Sequence, residues 1–263
     1  MTQFGAEVGI GAGLVTAVGA AGVAYAVFSP RSRWCIPLIR RGESADRVAL
    51  TFDDGPGPRG TARILDSLRE LGVPAAFFVI GANVDRYPEL VRRMHDEGHL
   101  VANHTYDHLH WGALRPAWWW DDQLRRTDRA IERATGLRPK LFRPPLGIKS
   151  WWMAGPLARA GLTPVTWSRR AFDGLARTTT EQILRRLVAP TRPGDILLLH
   201  DGEEPGVPRD PSATVAAVEP LVQSIRARGM EFERVDRLLG LEPYFPASGR
   251  VDNTEVPVAA GRD

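Results

Sequence analysis

The stretch Thr51-Phe52-Asp53-Asp54-Gly55-Pro56 places two adjacent carboxylates at the end of a predicted strand. The apolar run Val48-Ala49-Leu50 before it is typical of a buried strand, and Gly55-Pro56 ends regular structure. Successive side chains of a strand point to opposite faces, so neighbouring aspartates share one site best where the strand ends. Two negative charges held so close require a cation or a basic partner. A solvated turn is the competing interpretation, because Asp-Gly-Pro is also common in turns.

The composition of the 263-residue chain is that of a folded domain, with 43% hydrophobic and 25% charged residues. The formal net charge is only +3, and no dense basic tract contains interleaved aromatic residues, so no nucleic-acid partner is expected. Cys35 is the only cysteine. This count excludes an internal disulfide and a cysteine-rich zinc module.

Residues 8–28 carry no charged side chain and are about long enough to span a bilayer, which predicts a transmembrane helix and hence a membrane partner. A short tail, residues 1–7, precedes this segment, and a linker, residues 29–43, follows it. A cleaved signal peptide, with Ala24-Tyr25-Ala26 as its cleavage site, and a buried soluble helix are the alternatives. The arginines after the segment favour a single-pass protein with its domain in the cytoplasm.

Short apolar runs alternate with amphipathic ones over residues 44–240, which predicts an α/β domain with about seven parallel strands closed into a barrel. One helix carries Ile64, Leu65, Leu68 and Leu71 on one face, and Gly72 stands at its expected end. Residues 241–263 lack periodicity and are expected to be a disordered tail. The predicted strands are Val48–Leu50, Ala75–Ile80, Leu100–Ala102, Leu141–Phe142, Pro164–Trp167, Ile196–Leu199 and one at Phe232.

Polar residues recur just after the predicted strands, at the end of a (β/α) barrel where active sites are assembled. His104 and His108 follow the third strand, and on one face of a helical turn this spacing lets two imidazoles reach one metal ion. Because these polar residues all follow strands at the same end of the barrel, they predict a single site. The other residues of this series are Arg143, Trp167, Asp173, His200 and Asp201.

The remaining histidines and the tryptophan clusters have less specific interpretations. His95, His99 and His110 are expected at the surface or in supporting positions. Trp118-Trp119-Trp120 cannot all face one side of a helix, so at least one of them is expected to be exposed. The simpler interpretation of these residues and of Trp151-Trp152 is structural, with some packed in the core and others covering its surface. The alternative is that they contact a membrane interface or a sugar.

Four ordered motifs, Thr51–Pro56, His104–His108, Arg143–Gly147 and Leu197–Asp201, resemble those of the polysaccharide deacetylase family, also called the NodB-homology or carbohydrate esterase family 4 domain. The resemblance extends from about Ser44 to Leu239. It implies a distorted (β/α) barrel, one divalent metal ion, usually zinc, and hydrolysis of N- or O-acetyl groups on sugars. Most relatives that act on the cell wall work outside the cell, which conflicts with the charge bias around the N-terminal segment.

The resemblance also implies a role for each matching residue. Asp54, His104 and His108 correspond to the metal ligands, and Asp53 to the general base that takes a proton from water. Arg143 corresponds to the partner that orients this base. His200 corresponds to the general acid, with Asp173 as the candidate for orienting it. The residues expected at the substrate and its developing oxyanion are Leu146, through its backbone N–H, and Pro145 and Trp167.

Three residues depart from the family pattern. Leu146 stands where the family usually has tyrosine, Gly174 where a tryptophan would follow the aspartate, and Arg170 where many members have an acid. Loss of the tryptophan weakens the expectation of a long glycan substrate.

The predicted function is removal of an acetyl group from an N-acetylated amino sugar in peptidoglycan, a chitin-like chain or a precursor. A lipid-linked or small glycoside is the alternative substrate. A non-catalytic glycan-binding protein on the same barrel is the alternative class, although base, ligands and acid are all present. A phosphoesterase would require further ligands for a second metal ion, and none is in phase.

Overall fold

A computed structural model describes residues 21–29, 32–175 and 177–246 of the chain. Residues 21–28, here named α1, are helical, while residues 8–20 of the predicted membrane span and the tail at 1–7 lie outside the described part. Among the described helices, none is both long enough and apolar enough to cross a bilayer. The predicted transmembrane helix therefore has no support from the described residues.

One sheet of eight strands organises the described residues, and all its strand pairs are parallel. The order is β5-β4-β3-β2-β1-β7-β6, with β8 also paired to β1, so β5 and β6 are the edges. The α/β fold and its parallel strands fit the predicted distorted barrel, but the predicted closure was wrong, because β5 and β6 do not pair and the sheet is an open half-barrel. The strands are β1 Arg47–Asp53, β2 Ala75–Val79, β3 Leu100–Asn103, β4 Leu141–Phe142, β5 Thr163–Pro164, β6 Arg169–Arg170, β7 Ile196–His200 and β8 Glu231–Phe232.

Helices connect the strands and cover the outer face of the sheet. The predicted end of the first of them is confirmed, because Gly72 adopts the left-handed conformation that stops the helix. The helices after α1 are α2 Thr61–Leu71, α3 Gly81–Arg86, α4 Pro88–Asp96, α5 Ala117–Thr135, α6 Ala154–Ala160, α7 Thr180–Leu187, α8 Ser212–Arg226 and α9 Val235–Leu239, with 3₁₀ turns at His110–Leu114, Pro145–Gly147 and Trp151–Met153.

Both faces of β1 are buried, as expected for a central strand of a parallel sheet. Val48, Leu50 and Phe52 pack in the core between the sheet and the outer helices. Ala49 points to the opposite face and packs in the barrel interior, in a cluster that includes Trp167. Burial on both sides fixes the strand, and with it the position of the two aspartates at its end.

The predicted linker and part of the predicted tail are packed against the domain. Ile36 and Leu38 are buried in a core cluster, and Ile39 pairs with Val165, so the domain begins before residue 44. Residues 241–246 are also ordered, since the hydroxyl of Tyr244 accepts a hydrogen bond from the backbone N–H of Val101 at 3.0 Å. The prediction of disorder was wrong for these six residues, and residues 247–263 lie outside the described part.

Two strand predictions were also wrong in detail. The expected strand Pro164–Trp167 overlaps the observed strand β5 only at Pro164, and after it Val165 forms an isolated bridge with Ile39 of the incoming segment, to which the backbone N–H of Thr166 also donates. The two-residue strand β6 was not predicted, since an Arg-Arg pair has no apolar signal. Its pairing to β7 nevertheless places the segment after it, with Asp173, next to His200.

Candidate active site

The pair Asp53-Asp54 lies at the carboxyl end of β1, where the polar residues that follow the neighbouring strands converge. Asp53 is the last residue of the strand and is in register with His200 on β7. Asp54 is left-handed, with φ 72°, so its side chain does not continue the alternation of the strand. Both carboxylates are buried. A solvated turn is thereby excluded.

Asp54, His104 and His108 form a group that could hold a metal ion. Their ligand atoms all lie within 4.8 Å of one another, and Nε2 of His104 and of His108 lie 3.5 and 3.2 Å from Oδ1 of Asp54. Burial alone would raise the pKa of Asp54, but the nearby histidines His108, His104 and His200 lower it well below its usual range. The carboxylate is therefore ionised and available as a ligand.

The orientation of His104 fits a metal ligand. Its Nδ1 lies 2.8 Å from the backbone oxygen of Arg143, and a carbonyl oxygen only accepts, so Nδ1 carries the proton. The lone pair is then on Nε2, the atom that faces Asp54. One carboxylate oxygen and two imidazole nitrogens form a donor set that suits Zn²⁺ and leaves positions for water and substrate.

The loop from His104 to His108 is not the helical turn that the spacing suggested. Thr105 and His108 are left-handed, with φ 68° and 50°. The side chain of Asn103 accepts from the backbone N–H of Thr105, and Oε1 of Gln123 accepts from those of Tyr106 and Asp107 at 3.0 and 2.9 Å. These hydrogen bonds to side chains take the place of the backbone hydrogen bonds of a helix. The conformation of the loop, not a helical turn, therefore brings the two imidazoles to Asp54.

Asp53 is held apart from the metal group by Arg143. Nη1 of the fully buried guanidinium donates to Oδ1 of Asp53 at 2.6 Å and to Oγ1 of Thr51 at 2.9 Å. The other carboxylate oxygen of Asp53 lies 3.7 Å from Nε2 of His104 and faces the same space. The predicted pairing of Arg143 with Asp53 is present, and it leaves Oδ2 of Asp53 free to accept a proton.

His200 and Asp173 form a second buried pair across the cleft. Nδ1 of His200 lies 2.8 Å from Oδ1 of Asp173, whose Oδ2 accepts from the backbone N–H of His200 and from Thr214. Burial would lower the pKa of His200, but Asp173, with help from Asp54 and Asp53, raises it to about 9. His200 is therefore protonated at neutral pH, as a general acid requires.

These groups line a cleft of about 290 Å³, and strained backbone surrounds it. Four of its lining residues that are not glycine are left-handed, namely Asp54, His108, Leu146 and Phe172. Each such conformation costs about 1–3 kcal/mol, and such residues cluster at functional sites. The arrangement is consistent with a site whose geometry the surrounding fold imposes.

Two of the three residues predicted near the substrate line the cleft. Half-exposed Leu146 and largely buried Trp167 line it, while Pro145 is buried in the same loop. Gly147 is left-handed, and a Cβ there would lie 2.8 Å from the Trp167 ring, so glycine lets the loop approach this ring. Gly174 lines the opposite side; a Cβ there would lie 3.3 Å from Nη2 of Arg209 and 3.4 Å from Cε1 of His200.

Among the lining residues that were not predicted as site residues, three titratable ones contact the metal group or each other: His110, Glu204 and Arg209. Oε2 of Glu204 lies 2.6 Å from Nε2 of His110 and 3.6 Å from Nδ1 of His108. Nη1 of Arg209 lies 3.5 Å from Oδ2 of Asp54. Glu204 and Arg209 stand several residues beyond the end of β7, where the strand pattern carries no information about side-chain position.

The other polar residues singled out in the sequence are structural. Oδ2 of buried Asp201 accepts from Thr61 at 2.6 Å, which fixes the loop after Asp54 against the one after β7. Buried His99 accepts from the backbone N–H of Ala75, and the His95 ring meets the Tyr244 ring edge to face, so the expectation of supporting positions for both is confirmed.

Comparison with known proteins agrees with this geometry. The model of the polysaccharide deacetylase family matches residues 40–165. A chitooligosaccharide deacetylase from Bradyrhizobium sp. (strain ANU 289) is 41% identical over 198 residues, covering 73% of this chain and 90% of the relative. The chain belongs to the polysaccharide deacetylase family. It is therefore a hydrolase of the polysaccharide deacetylase type, acting on carbon–nitrogen bonds other than peptide bonds.

Two further members of the family are similar along most of the domain. A peptidoglycan-N-acetylglucosamine deacetylase of Bacillus cereus is 35% identical over 196 residues, covering 73% of this chain and 87% of the relative. The solved structure of a family 4 carbohydrate esterase from Streptomyces lividans, in complex with acetate, has a TM-score of 0.64 and 34% identity. The matched region covers 72% of this chain and 93% of the esterase chain.

Glu204→Gln is expected to lower metal affinity roughly 10- to 100-fold, because a carboxylate beside a ligating imidazole orients it and raises its basicity. Isothermal titration of the metal-free protein with Zn²⁺ measures the change. Glu203→Gln is the matched control, since Glu203 pairs with Arg59 at 2.8 Å and does not line the cleft. Equal affinities for the Glu204→Gln and Glu203→Gln variants would show that Glu204 does not support His108.

Proposed function

We propose that this protein is a metal-dependent deacetylase that hydrolyses the acetamide of an N-acetylated amino sugar. The observation that carries the proposal is the division of labour between the adjacent aspartates. Asp54 faces two imidazoles, and Asp53 is held by Arg143. A metal-binding protein without catalysis does not require the second arrangement. Hydrolysis by an activated water requires both.

Asp54, His104 and His108 would hold the ion. When bound, a divalent ion such as Zn²⁺ supplies a Lewis acid that acidifies water and polarises the acetyl carbonyl. Asp53, oriented by Arg143, takes the proton of the attacking water as the new bond to the acetyl carbon forms. The backbone N–H of Leu146 is proposed to donate to the oxyanion that develops on the former carbonyl oxygen.

His200 completes the reaction from the other side of the cleft. Its pair with Asp173 keeps the ring protonated, and the proton passes to the sugar nitrogen as the carbon–nitrogen bond breaks. The products are acetate and a free amino sugar. Each proposed proton transfer thus uses a separate buried pair, Asp53 with Arg143 and His200 with Asp173.

The proposed substrates are chito-oligosaccharides and the N-acetylglucosamine of peptidoglycan, as the names of the relatives suggest. The cleft volume of about 290 Å³ is at the lower end of the range for small-molecule sites and suits one or two sugar units. Gly174, where the family pattern implies a tryptophan, supports the alternative proposal of a lipid-linked or small glycoside. The membrane span and the side on which the domain lies remain predictions.

Acetate release across defined substrates tests the proposal. We expect release from at least one of chito-oligosaccharides, peptidoglycan and lipid-linked N-acetylated amino sugars. We also expect its loss with a chelator and its recovery with added Zn²⁺. Release that persists unchanged in chelator would contradict metal dependence, and release only from O-acetylated sugars would contradict the proposed bond.

Asp173→Asn is expected to move the alkaline limb of the kcat/KM–pH profile to lower pH by about 1–3 units. His200 donates its proton only below its pKa, and the carboxylate raises that pKa to about 9. Removing the charge lowers the pKa, so activity is lost earlier as pH rises. Asp195→Asn is the control, because Asp195 is a buried carboxylate at the other end of β7, paired with Arg169. An unmoved alkaline limb in Asp173→Asn would show that Asp173 does not tune the acid.

A further inference from the structure

Five of the eight tryptophans of this chain are exposed, which is unusual for the largest apolar side chain. Their exposed fractions run from 52% for Trp151 to 74% for Trp111, and Leu114 is 78% exposed. We call the following six residues the tryptophan face: Trp34, Trp111, Leu114, Trp118, Trp151 and Trp152.

Direct contacts join the elements that carry the tryptophan face. Nζ of Lys149 donates to the backbone oxygens of Ser29 and Ser32, at 2.8 and 2.6 Å, which ties the segment before Trp34 to the one before Trp151. Oγ of Ser150 donates to the backbone oxygen of Ala113 at 2.7 Å, next to Leu114. The tryptophan face is therefore formed by adjoining segments that are distant in sequence.

The start of α5 adjoins the same region. A Cβ on Gly112 would lie 3.2 Å from the Trp119 ring, so the 3₁₀ turn carrying Trp111 packs on the helix turn carrying Trp118. Buried Trp120 lies beneath, in a cluster with Met153. Trp120 and the partly buried Trp119 supply the packing here, whereas most of the Trp118 ring remains exposed.

The tryptophan face lies at the same end of the barrel as the cleft, but its residues do not line the cleft. Five of its six residues lie in the segments that follow β3 and β4, while Trp34 lies in the segment before β1. Trp111 is next to His110, which lines the cleft. The six residues of the face are absent from the cleft wall, whose aromatic residues are Trp167 and Phe172. A sugar in the cleft therefore leaves the tryptophan face uncovered.

The composition of the tryptophan face and of its surroundings suits the headgroup region of a lipid bilayer. Tryptophan favours that region because its ring is apolar and its N–H is polar. Arg33 and Arg115 are exposed beside the face and have no acidic partner among the described residues, so they are available to lipid phosphates. A Cβ on Gly22 of α1 would lie 3.6 Å from the Trp34 ring, and the uncharged residues 8–20 directly precede α1 in sequence.

We propose that the tryptophan face rests on a lipid bilayer and holds the mouth of the cleft close to the membrane surface. The bilayer is the occupant favoured over a soluble partner because an uncharged stretch of 13 residues leads to this face and unpaired arginines border it. The proposal concerns where the domain docks and does not depend on which acetylated sugar it hydrolyses.

Quenching of fluorescent labels by brominated lipids, measured in the full chain, tests the proposal. It reports contact of each labelled position with the bilayer, so it distinguishes docking of the tryptophan face from anchoring by the N-terminal segment alone. With Cys35→Ser as background, Trp118→Cys and Trp152→Cys are each labelled with an environment-sensitive fluorophore. The vesicles are phosphatidylcholine with phosphatidylglycerol, with bromine on the acyl chains. Glu219→Cys is the control, since Glu219 is exposed on α8, which packs against α2 and α7 away from the tryptophan face. Unchanged acetate release and thermal melting show that the variants are folded.

We expect a blue shift and bromine quenching at positions 118 and 152 and neither at 219. Equal quenching at all three positions would mean that the domain is tethered without docking, and would overturn the proposal. Protection of the 118 and 152 labels from iodide without vesicles would overturn it too, because protein, from residues 8–20 or a second copy, would then cover the tryptophan face. Labels that respond to soluble chito-oligosaccharide but not to vesicles would make the face a sugar-binding surface instead.

Discussion

Asp53→Asn is expected to lower the rate of acetate release by roughly 10²- to 10⁴-fold, the range for loss of a general base. The change keeps the shape of the side chain and removes the oxygen that accepts the proton of water. Oδ1 of Asp53 accepts a hydrogen bond from Nη1 of Arg143 at 2.6 Å, and the amide oxygen of asparagine can accept the same hydrogen bond. We expect the protein to fold, with a lower melting temperature, since a fully buried guanidinium loses its counter-charge.

Asp128→Asn is the matched control for this variant. Asp128 is also buried and hydrogen-bonded, with Oδ1 accepting from Asn103 at 2.7 Å, but it lies on α5 outside the cleft. Burial raises its pKa to about 6, so the charged form is less favoured than in water and we expect the neutral substitution to leave the fold intact. Full activity in Asp53→Asn, measured as acetate release under conditions where Asp128→Asn is active, would refute Asp53 as the base.

His108→Asn is expected to abolish acetate release and to reduce bound metal far below one ion per chain. Three protein ligands are the minimum of a catalytic zinc site, and the variant retains two. Metal analysis after dialysis and a coupled acetate assay measure the two quantities. The loss of metal is the outcome that separates this variant from Asp53→Asn.

The matched control is His95→Asn on α4, because the His95 ring meets the Tyr244 ring edge to face outside the cleft. We expect metal content and activity close to those of the unmodified protein. A His108→Asn protein that keeps a full complement of metal and its activity would remove His108 from the ligand set. His110 and Glu204, which form the other described cluster of potential ligands with His108, would then be the next candidates.

The sequence was most informative where a residue directly follows a buried strand. The structure brings Asp53, His104, Arg143 and His200 together at the strand ends because parallel strands end at one edge of a sheet, and burial fixes each strand. The assignment of roles within the aspartate pair came from the family resemblance. The geometry fits those roles, since Asp54 is left-handed and faces the histidines while Asp53 faces Arg143.

Features that depend on loop paths could not be predicted. Glu204 and Arg209 reach the cleft because the segment after β7 folds back over it, and no periodicity encodes that path. The conformation between His104 and His108 depends on hydrogen bonds to Gln123, which lies on α5 and is distant in sequence. Local spacing therefore gave the correct pair of imidazoles but the wrong backbone.

Exposure of the tryptophans also depends on tertiary packing. Trp118, Trp119 and Trp120 differ from exposed to buried along a single helix turn, as their helical positions require. The pattern confirms that at least one is exposed, but only the structure shows that Trp118 adjoins the segments of Trp111 and Trp151. Similarly, Tyr244 packs onto β3 through its hydroxyl, a contact that an aperiodic segment does not reveal.

The most direct test of the central claim is the metal content of Asp53→Asn and Asp54→Asn, measured side by side after identical dialysis against Zn²⁺ and then against buffer. We predict close to one ion per chain in Asp53→Asn despite its strongly reduced activity, and substantially less in Asp54→Asn. Equal metal content in the two variants would contradict the separate roles proposed here for the adjacent aspartates.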